Sequence, residues 1–180
     1  SMIIKKEDHD KSRYHMLETM RQYAYEKLVK SGECDEMRDA HLGYFLNLAE
    51  KAEPYLRRTE QIEWLEQLDA DYRNLRTALG WAMDKPSAEI SLRMVGALGP
   101  FWELNDSWQE GAKWLDRALD KAWSEAKRTE KVARAKALYR RAKNAFVLDE
   151  LDISKITAES ALALCEELED RRRAAYTRWL

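Results

Sequence analysis

Val95-Gly96-Ala97-Leu98-Gly99-Pro100-Phe101-Trp102, followed after Glu103-Leu104-Asn105-Asp106 by Ser107-Trp108-Gln109-Glu110-Gly111-Ala112-Lys113-Trp114-Leu115-Asp116-Arg117-Ala118, is the stretch that decides the fold. Apolar and small residues recur in it at intervals of three and four, the period of a helix face, and polar Asn105-Asp106 interrupts them. The reading is a pair of helices, 88 to 104 and 107 to 124. Ser107-Trp108-Gln109-Glu110 has the form of a capping box, in which hydroxyl and carboxylate each satisfy an orphan amide. Downstream the pattern returns as 129 to 149 with 153 to 169, Asp152 standing where it can cap the second helix, and a last helix opens near 171. A shift of 45 lays Trp108, Ala118 and Leu119 on Ile153, Ala163 and Leu164, and Phe101 on Phe146, an internal repeat longer than the usual unit of about 34 residues.

Upstream, Asp84-Lys85-Pro86-Ser87 breaks the preceding helix, since proline cannot continue one but fits the first turn of the next. That preceding helix, from Thr59, carries Ile62, Leu65, Leu68, Tyr72, Leu75, Leu79 and Ala82 as one straight seam. Before it, a helix capped by Asp35 presents Met37, His41, Tyr44, Leu48, Ala52 and Tyr55. Earlier still, Leu17, Met20, Ala24 and Leu28 share a face that stops at Ser31-Gly32, where glycine can turn left-handed. Only the start departs from helix. Met2-Ile3-Ile4-Lys5-Lys6 and Arg13-Tyr14-His15-Met16 flank a polar loop and suit a β-hairpin, which is marginal in isolation and must pack on the next helix or on other sequence. The expected class is all-α, antiparallel helical hairpins with a short N-terminal β-hairpin, in three parts: residues 1–33, 34–85 and 86–180.

The 180 residues are 45% apolar with seven Trp, enough nonpolar surface for a core. Charged residues reach 36% yet sum to −2, so no global field recruits nucleic acid or anionic membrane. Cys34 and Cys165 stand far apart, outside any C-x-x-C, and read as reduced thiols in a cytoplasmic protein. No apolar stretch approaches the roughly 20 residues of a membrane span, and the start is too short and too soon charged for a signal peptide. The helical pattern still running at Trp179-Leu180 reads as a fragment of a longer chain.

Arg13-Tyr14-His15-Met16-Leu17-Glu18-Thr19-Met20-Arg21-Gln22-Tyr23-Ala24, answered by Asp71-Tyr72-Arg73-Asn74-Leu75-Arg76-Thr77-Ala78-Leu79, resembles the junction of the STAND-type (NB-ARC-like) signalling ATPases and transcriptional regulators, where a winged-helix domain leads into tetratricopeptide-like repeats. Val95, Leu98, Gly99, Trp102, Trp108, Gly111, Leu115 and Ala118 resemble the apolar and small positions of a tetratricopeptide repeat. Tyr139, Ala142, Lys143, Phe146, Ile153, Ile156, Ser160 and Ala163 resemble a second, irregular unit whose turn at Leu148 to Leu151 is one residue longer. The resemblance implies a winged-helix remnant at 1–33, a linker helical hairpin at 34–85 and a tetratricopeptide-like α-solenoid at 86–180. It also implies an upstream nucleotide-binding module in the parent chain, held or released by repeats that bind a protein, a peptide or a small effector.

Chemistry-bearing motifs are missing. There is no G-x-x-x-x-G-K-[ST], no H-E-x-x-H and no G-x-S-x-G, and Cys34 with His41 offers two ligands where a structural zinc wants four. The segment is therefore expected to be non-enzymatic, with no cofactor and no metal. Lys127, Arg128, Lys131 and Arg134, continued by Lys136, Arg140, Arg141 and Lys143, are the strongest charge feature. They admit a phosphate-contacting ridge for nucleic acid, but they run around more than one face and favour a solvated helix exterior. The hairpin's Lys5, Lys6, Lys11 and Arg13 are opposed by Glu7, Asp8 and Asp10. Trp64 lies off the long seam and is a candidate partner contact.

Stacked hairpins line an inner surface with their first helices. By repeat spacing Arg93 and Glu103 of the first unit and Arg140 and Asn144 of the second face that groove, where guanidinium groups suit an acidic peptide, a carboxylate or a phosphorylated ligand. Exchanging Arg93 and Arg140 for Glu is expected to abolish capture without unfolding the chain. The rival readings are a nucleic-acid-binding helix at 127–143 and a self-association scaffold.

Overall fold

The computed structural model describes residues 3–8, 11–121 and 127–179. The expectations for the hairpin's basic side chains and for the last residues of the 107–124 helix lie outside the described residues. Among those described the backbone is dominantly helical, and no helix is long and apolar enough to cross a membrane. The chain divides into two compact units, residues 1–41 and 42–180.

In the first unit, β1 (Ile3–Asp8) and β2 (Lys11–Met16) run antiparallel, Ile3 opposite Met16 and Asp8 opposite Lys11. Helix α1 (Glu18–Ser31) closes at Gly32, whose φ of 77° lets its amide reach the Val29 carbonyl. α1 buries no residue, and Leu17, Tyr23, Tyr25 and Val29 are exposed. Arg38, in the first part of α2 (Cys34–Ala52), donates to the Tyr25 hydroxyl.

The second unit begins inside α2. The buried stripe of that helix is Leu42, Phe45, Leu46, Ala49 and Ala52, joined by Leu48. Met37 and Tyr44, expected in the stripe, are exposed, because Leu42 with Phe45 and Leu46 makes a wider apolar face than the tyrosine side offers. A 3-10 turn (Tyr55–Arg57) leads to α3 (Gln61–Ala70) and α4 (Tyr72–Asp84). The expected single seam is two helices. Asp71 breaks it with φ −100° and ψ 5°, off the helical minimum, while its amide and carbonyl still bond to Gln67 and Leu75. Leu68, Leu75, Leu79 and Ala82 of the seam are fully buried, whereas Ile62 is 70% exposed.

The remaining helices are α5 (Glu89–Leu104), α6 (Trp108–Leu119), α7 (Arg128–Val147), α8 (Leu151–Glu167) and α9 (Arg171–Arg178). α5 packs on α6, α7 on both of these and on α8, and α8 on α9. Three connections use one device. Asp106, Asp149 and Glu169 sit at φ 51°, 61° and 58°, and each is followed by an amide that reaches back five residues: Ser107 to Trp102, Glu150 to Ala145, Asp170 to Cys165. This is a Schellman closure with an acidic residue in the place usually taken by glycine. Asp106 and Asp149 are 43 positions apart, so the structural offset of the two pairs is 43, not the expected 45, and the second turn is no longer than the first. At that offset Gly99 matches Ala142, Gly111 matches Ser154 and Ala118 matches Ala161, all six buried. Phe146, Ile153 and Ile156, expected at repeat-core positions, are instead 56%, 40% and 62% exposed.

Trp102 and Phe101 fill the centre of the main core. The Trp102 indole donates to the Tyr72 hydroxyl at 3.0 Å, and a Cβ on Gly111 would come within 3.2 Å of the Trp102 ring, so glycine lets α6 approach α5. The expected capping box does not form. Ser107 donates instead to the Asn105 carbonyl, and Glu110 is drawn to Trp114 and to Arg76. The Lys121 ammonium is ringed by the carbonyls of Ala82, Met83, Lys85 and Ser87, and this fastens the α4–α5 connection. A smaller core of Ala135, Cys165, Leu168 and Ala174 joins α7, α8 and α9, and burial pushes the Cys165 thiol pKa up.

Two glycines test this packing in opposite directions. Gly80 has open space where a Cβ would go, so Gly80→Ala should raise stability by about 0.5–1 kcal/mol. A Cβ on Gly99 would lie 2.6 Å from Cδ of Arg140, so Gly99→Ala should lower it by about 1–3 kcal/mol, both read from urea midpoints. Burial, aided by Glu110, raises the Tyr72 phenol above the ordinary tyrosine range. Its folded form therefore holds the proton longer than its unfolded form. That contribution to stability is complete below about pH 10 and falls as pH rises further, which an alkaline melting series should show and Tyr72→Phe should abolish.

Candidate functional site

Helix α7 carries a cation on nearly every turn, and the structure commits most of them internally. Arg128 donates to the Leu168 carbonyl at the end of α8, and Arg134 to the Leu119 carbonyl at the end of α6. Both meet the negative pole of a helix C-terminus. Lys131 pairs with Glu167, Lys136 with Glu53, and Arg141, 3% exposed in its side chain, with Asp116 and Glu150. Lys143 reaches Glu103 at 2.6 Å, and Lys127 is exposed. Most of the stretch is thus engaged by carbonyls and carboxylates of this chain. It holds neighbouring helices together.

Arg140 shows how the backbone makes room for such a contact. Pro100 has no amide to give to the Gly96 carbonyl one turn earlier in α5. Arg140 Nε donates to that carbonyl at 3.4 Å, and its side chain crosses α5 where Gly99 has no Cβ. Beyond the crossing its guanidinium meets Glu53 at 3.1 Å and Glu103 at 3.3 Å.

Of the four groove residues, Arg93, Glu103 and Arg140 lie on the face shared by α5 and α7. Asn144 does not lie open there. It is 4% exposed, its amide donating to the Trp108 carbonyl, because that side of α7 faces the start of α6. Arg93 is held by Glu50 in a bidentate pair, both contacts 2.8 Å, which raises its pKa. Glu103 accepts from Arg140, Lys143 and Arg57. The groove is thus supplied with carboxylates by this chain. Glu50, at the end of α2, and Glu53, just after it, were not foreseen as site residues; no local pattern marks an acid that meets cations 43 to 87 positions away. Trp64 is also less available than its position suggested, since it stacks on Tyr55 at 5.3 Å under the Lys51 ammonium.

Two cavities open on this face. The first, about 450 Å³, lies over Val132 and Ala133 and is edged by Arg93, Arg128, Glu50 and Glu89. The second, about 400 Å³, lies among the 3-10 turn, α7 and α9. They share Lys136 and Arg173. Burial lowers the Lys136 pKa, and Glu53 acts in the other direction. A third cavity, edged by Arg76, Glu110, Lys113 and Trp114, belongs to α4 and α6. Among the described residues no three of His, Cys, Asp and Glu group as metal ligands.

Arg140→Glu would set a carboxylate against Glu53 and Glu103. It is expected to cost about 3–5 kcal/mol of stability in a denaturant titration, so the exchange of Arg140 does not separate binding from folding; Arg140→Met, which keeps the packing, should cost less.

No protein-family profile matches the chain, and no solved structure matches it. Over 120 residues, 67% of this chain, it is 28% identical to a protein of Mycobacterium bovis and to proteins of two Mycobacterium tuberculosis strains, each carried under the provisional description of HTH-type transcriptional regulator. The matched stretch makes up 13% of the length of each of these relatives. The chain is thus a helical protein similar to a small part of bacterial transcriptional regulators.

Proposed function

We propose that this chain is the sensing region of a cytoplasmic, STAND-type transcriptional regulator, non-enzymatic in itself. In this reading residues 1–33 close a winged-helix domain, 34–85 link it to tetratricopeptide-like hairpins, and 86–180 form the beginning of a solenoid. The face of α5, α7 and α9 binds a protein, a peptide or a small effector and biases a nucleotide-binding module elsewhere in the parent chain. The observation that supports it is the pairing of a regulator-like sequence with two adjoining charge-lined cavities that share Lys136 and Arg173. The nucleic-acid reading of 127–143 is weakened because most of its cations are bonded to carbonyls and carboxylates of this chain.

The test uses the parent protein and a transcription reporter. Arg172 is exposed and edges the second cavity, so Arg172→Glu should leave folding and DNA binding intact. It should shift transcriptional output about fivefold or more, the scale of allosteric coupling. Output equal to that of the unaltered protein would overturn the reading.

A further inference from the structure

The second cavity is out of electrostatic balance. Arg57, Lys136, Arg140, Arg172 and Arg173 edge it, with Glu53 and Asp170 as the acids of the lining; Glu103, just outside, pairs with Arg57 and Arg140 but also with Lys143, so the excess over the whole cluster is three positive charges. Several of these groups are partly desolvated; Arg140 is 9% exposed, and Lys136 and Arg173 about a quarter, so screening by water is reduced. Glu53 is already shared by Lys136 and Arg140, and Asp170 is bound both to the Arg173 guanidinium and to the Arg173 amide. One added carboxylate would leave most of the excess in place. The volume, about 400 Å³, fits a small molecule and excludes a folded partner. Tyr139 and Tyr176 supply two aromatic rings at its edge.

We infer that this cavity binds a small phosphorylated effector, whose phosphoryl group is held by Lys136, Arg140 and Arg173 while Glu53 acts as the internal anion it competes with. A phosphate monoester carries a charge of about −1.5 to −2 and three acceptor oxygens. Donors that arrive from two helices, Lys136 and Arg140 of α7 and Arg173 of α9, suit a tetrahedral group, where a planar carboxylate accepts best from a single fork. The inference rests on the reading of this face as a sensing surface but is tested without it.

Calorimetric titration of the whole chain with phenyl phosphate, at about 150 mM salt so that diffuse attraction is screened, should show saturable binding. Arg173→Gln and Lys136→Met should each weaken it about tenfold, Arg172→Gln should weaken it less, and Glu53→Gln should strengthen it severalfold. Arg76→Gln, beside the α4–α6 cavity, should leave it unchanged, with melting curves reporting that each variant is folded. Absence of saturable binding, equal affinity for succinate, or indifference to Arg172→Gln and Arg173→Gln would overturn the proposal. Binding here with no transcriptional response to Arg172→Glu would sink the regulatory reading and leave the site; the converse result would sink the site alone.

Discussion

The second unit depends on Arg140 lying across α5. Three features of that helix admit it: Pro100 leaves the Gly96 carbonyl without its usual donor, Gly99 has no side chain in the way, and Glu103 waits one turn on. A proline inside a helix ordinarily costs stability through the bond it removes. Here a guanidinium from α7 supplies that bond, and the repair becomes the contact that sets how close α5 and α7 come. The same group meets Glu53, so the segment following α2 is tied to the same point.

α7 could not do this as an ordinary amphipathic helix. Half of its buried positions are alanine, Ala133, Ala135, Ala137, Ala142 and Ala145, accompanied by Leu138 and by buried Glu130, Arg140, Arg141 and Asn144. Alanine adds little to a core but lets α5, α6 and α8 approach closely, and long cationic side chains then bridge what the small ones leave open. Such pairs add little net stability, because desolvation offsets much of their attraction, whereas loss of one partner is expensive. The arrangement therefore favours one fixed placement of helices over a merely compact one. That is the property a ligand-responsive surface needs, since a small shift of one element must break definite bonds.

The sequence rhythm of three and four located most helices of the second unit, and Trp102 at its core, because burial of a stripe is a local pattern. Register was harder. Asp106, Asp149 and Glu169 in left-handed turns carry no glycine signal, so an offset of 45 based on aromatic and leucine matches displaced the true one of 43, which the small residues Gly99 with Ala142 and Gly111 with Ser154 mark. The α2 stripe was misplaced by Tyr44, whose ring packs edge-on against Phe45 yet stays 64% exposed. Arg93, Glu103 and Arg140 lie on the face that α5 and α7 share. Their partners Glu50 and Glu53 are not legible in the sequence, because a charge pair between distant helices leaves no periodicity to read. Asn144 was misassigned because a polar residue on a groove-facing helix looks exposed until the carbonyl it serves, that of Trp108, is known.

α9 adds to the charge excess of the second cavity, bringing Arg172 and Arg173 against Asp170 alone. Without that helix, Arg57, Lys136 and Arg140 would face Glu53 and the nearby Glu103, with Lys143 already given to Glu103. The turn at Glu169 sends the chain back along α8 and begins α9 with Arg171-Arg172-Arg173, the Asp170 side chain capping the Arg173 amide. Ala174 then docks beside Ala135, and Arg173 reaches the Val132 carbonyl. Three arginines in the first turn of a helix oppose its dipole, and only Asp170 compensates locally. A sequence built for stability alone would place acids there. The position of these cations, over a cleft whose own carboxylates are already engaged, is what makes an external anion the missing partner.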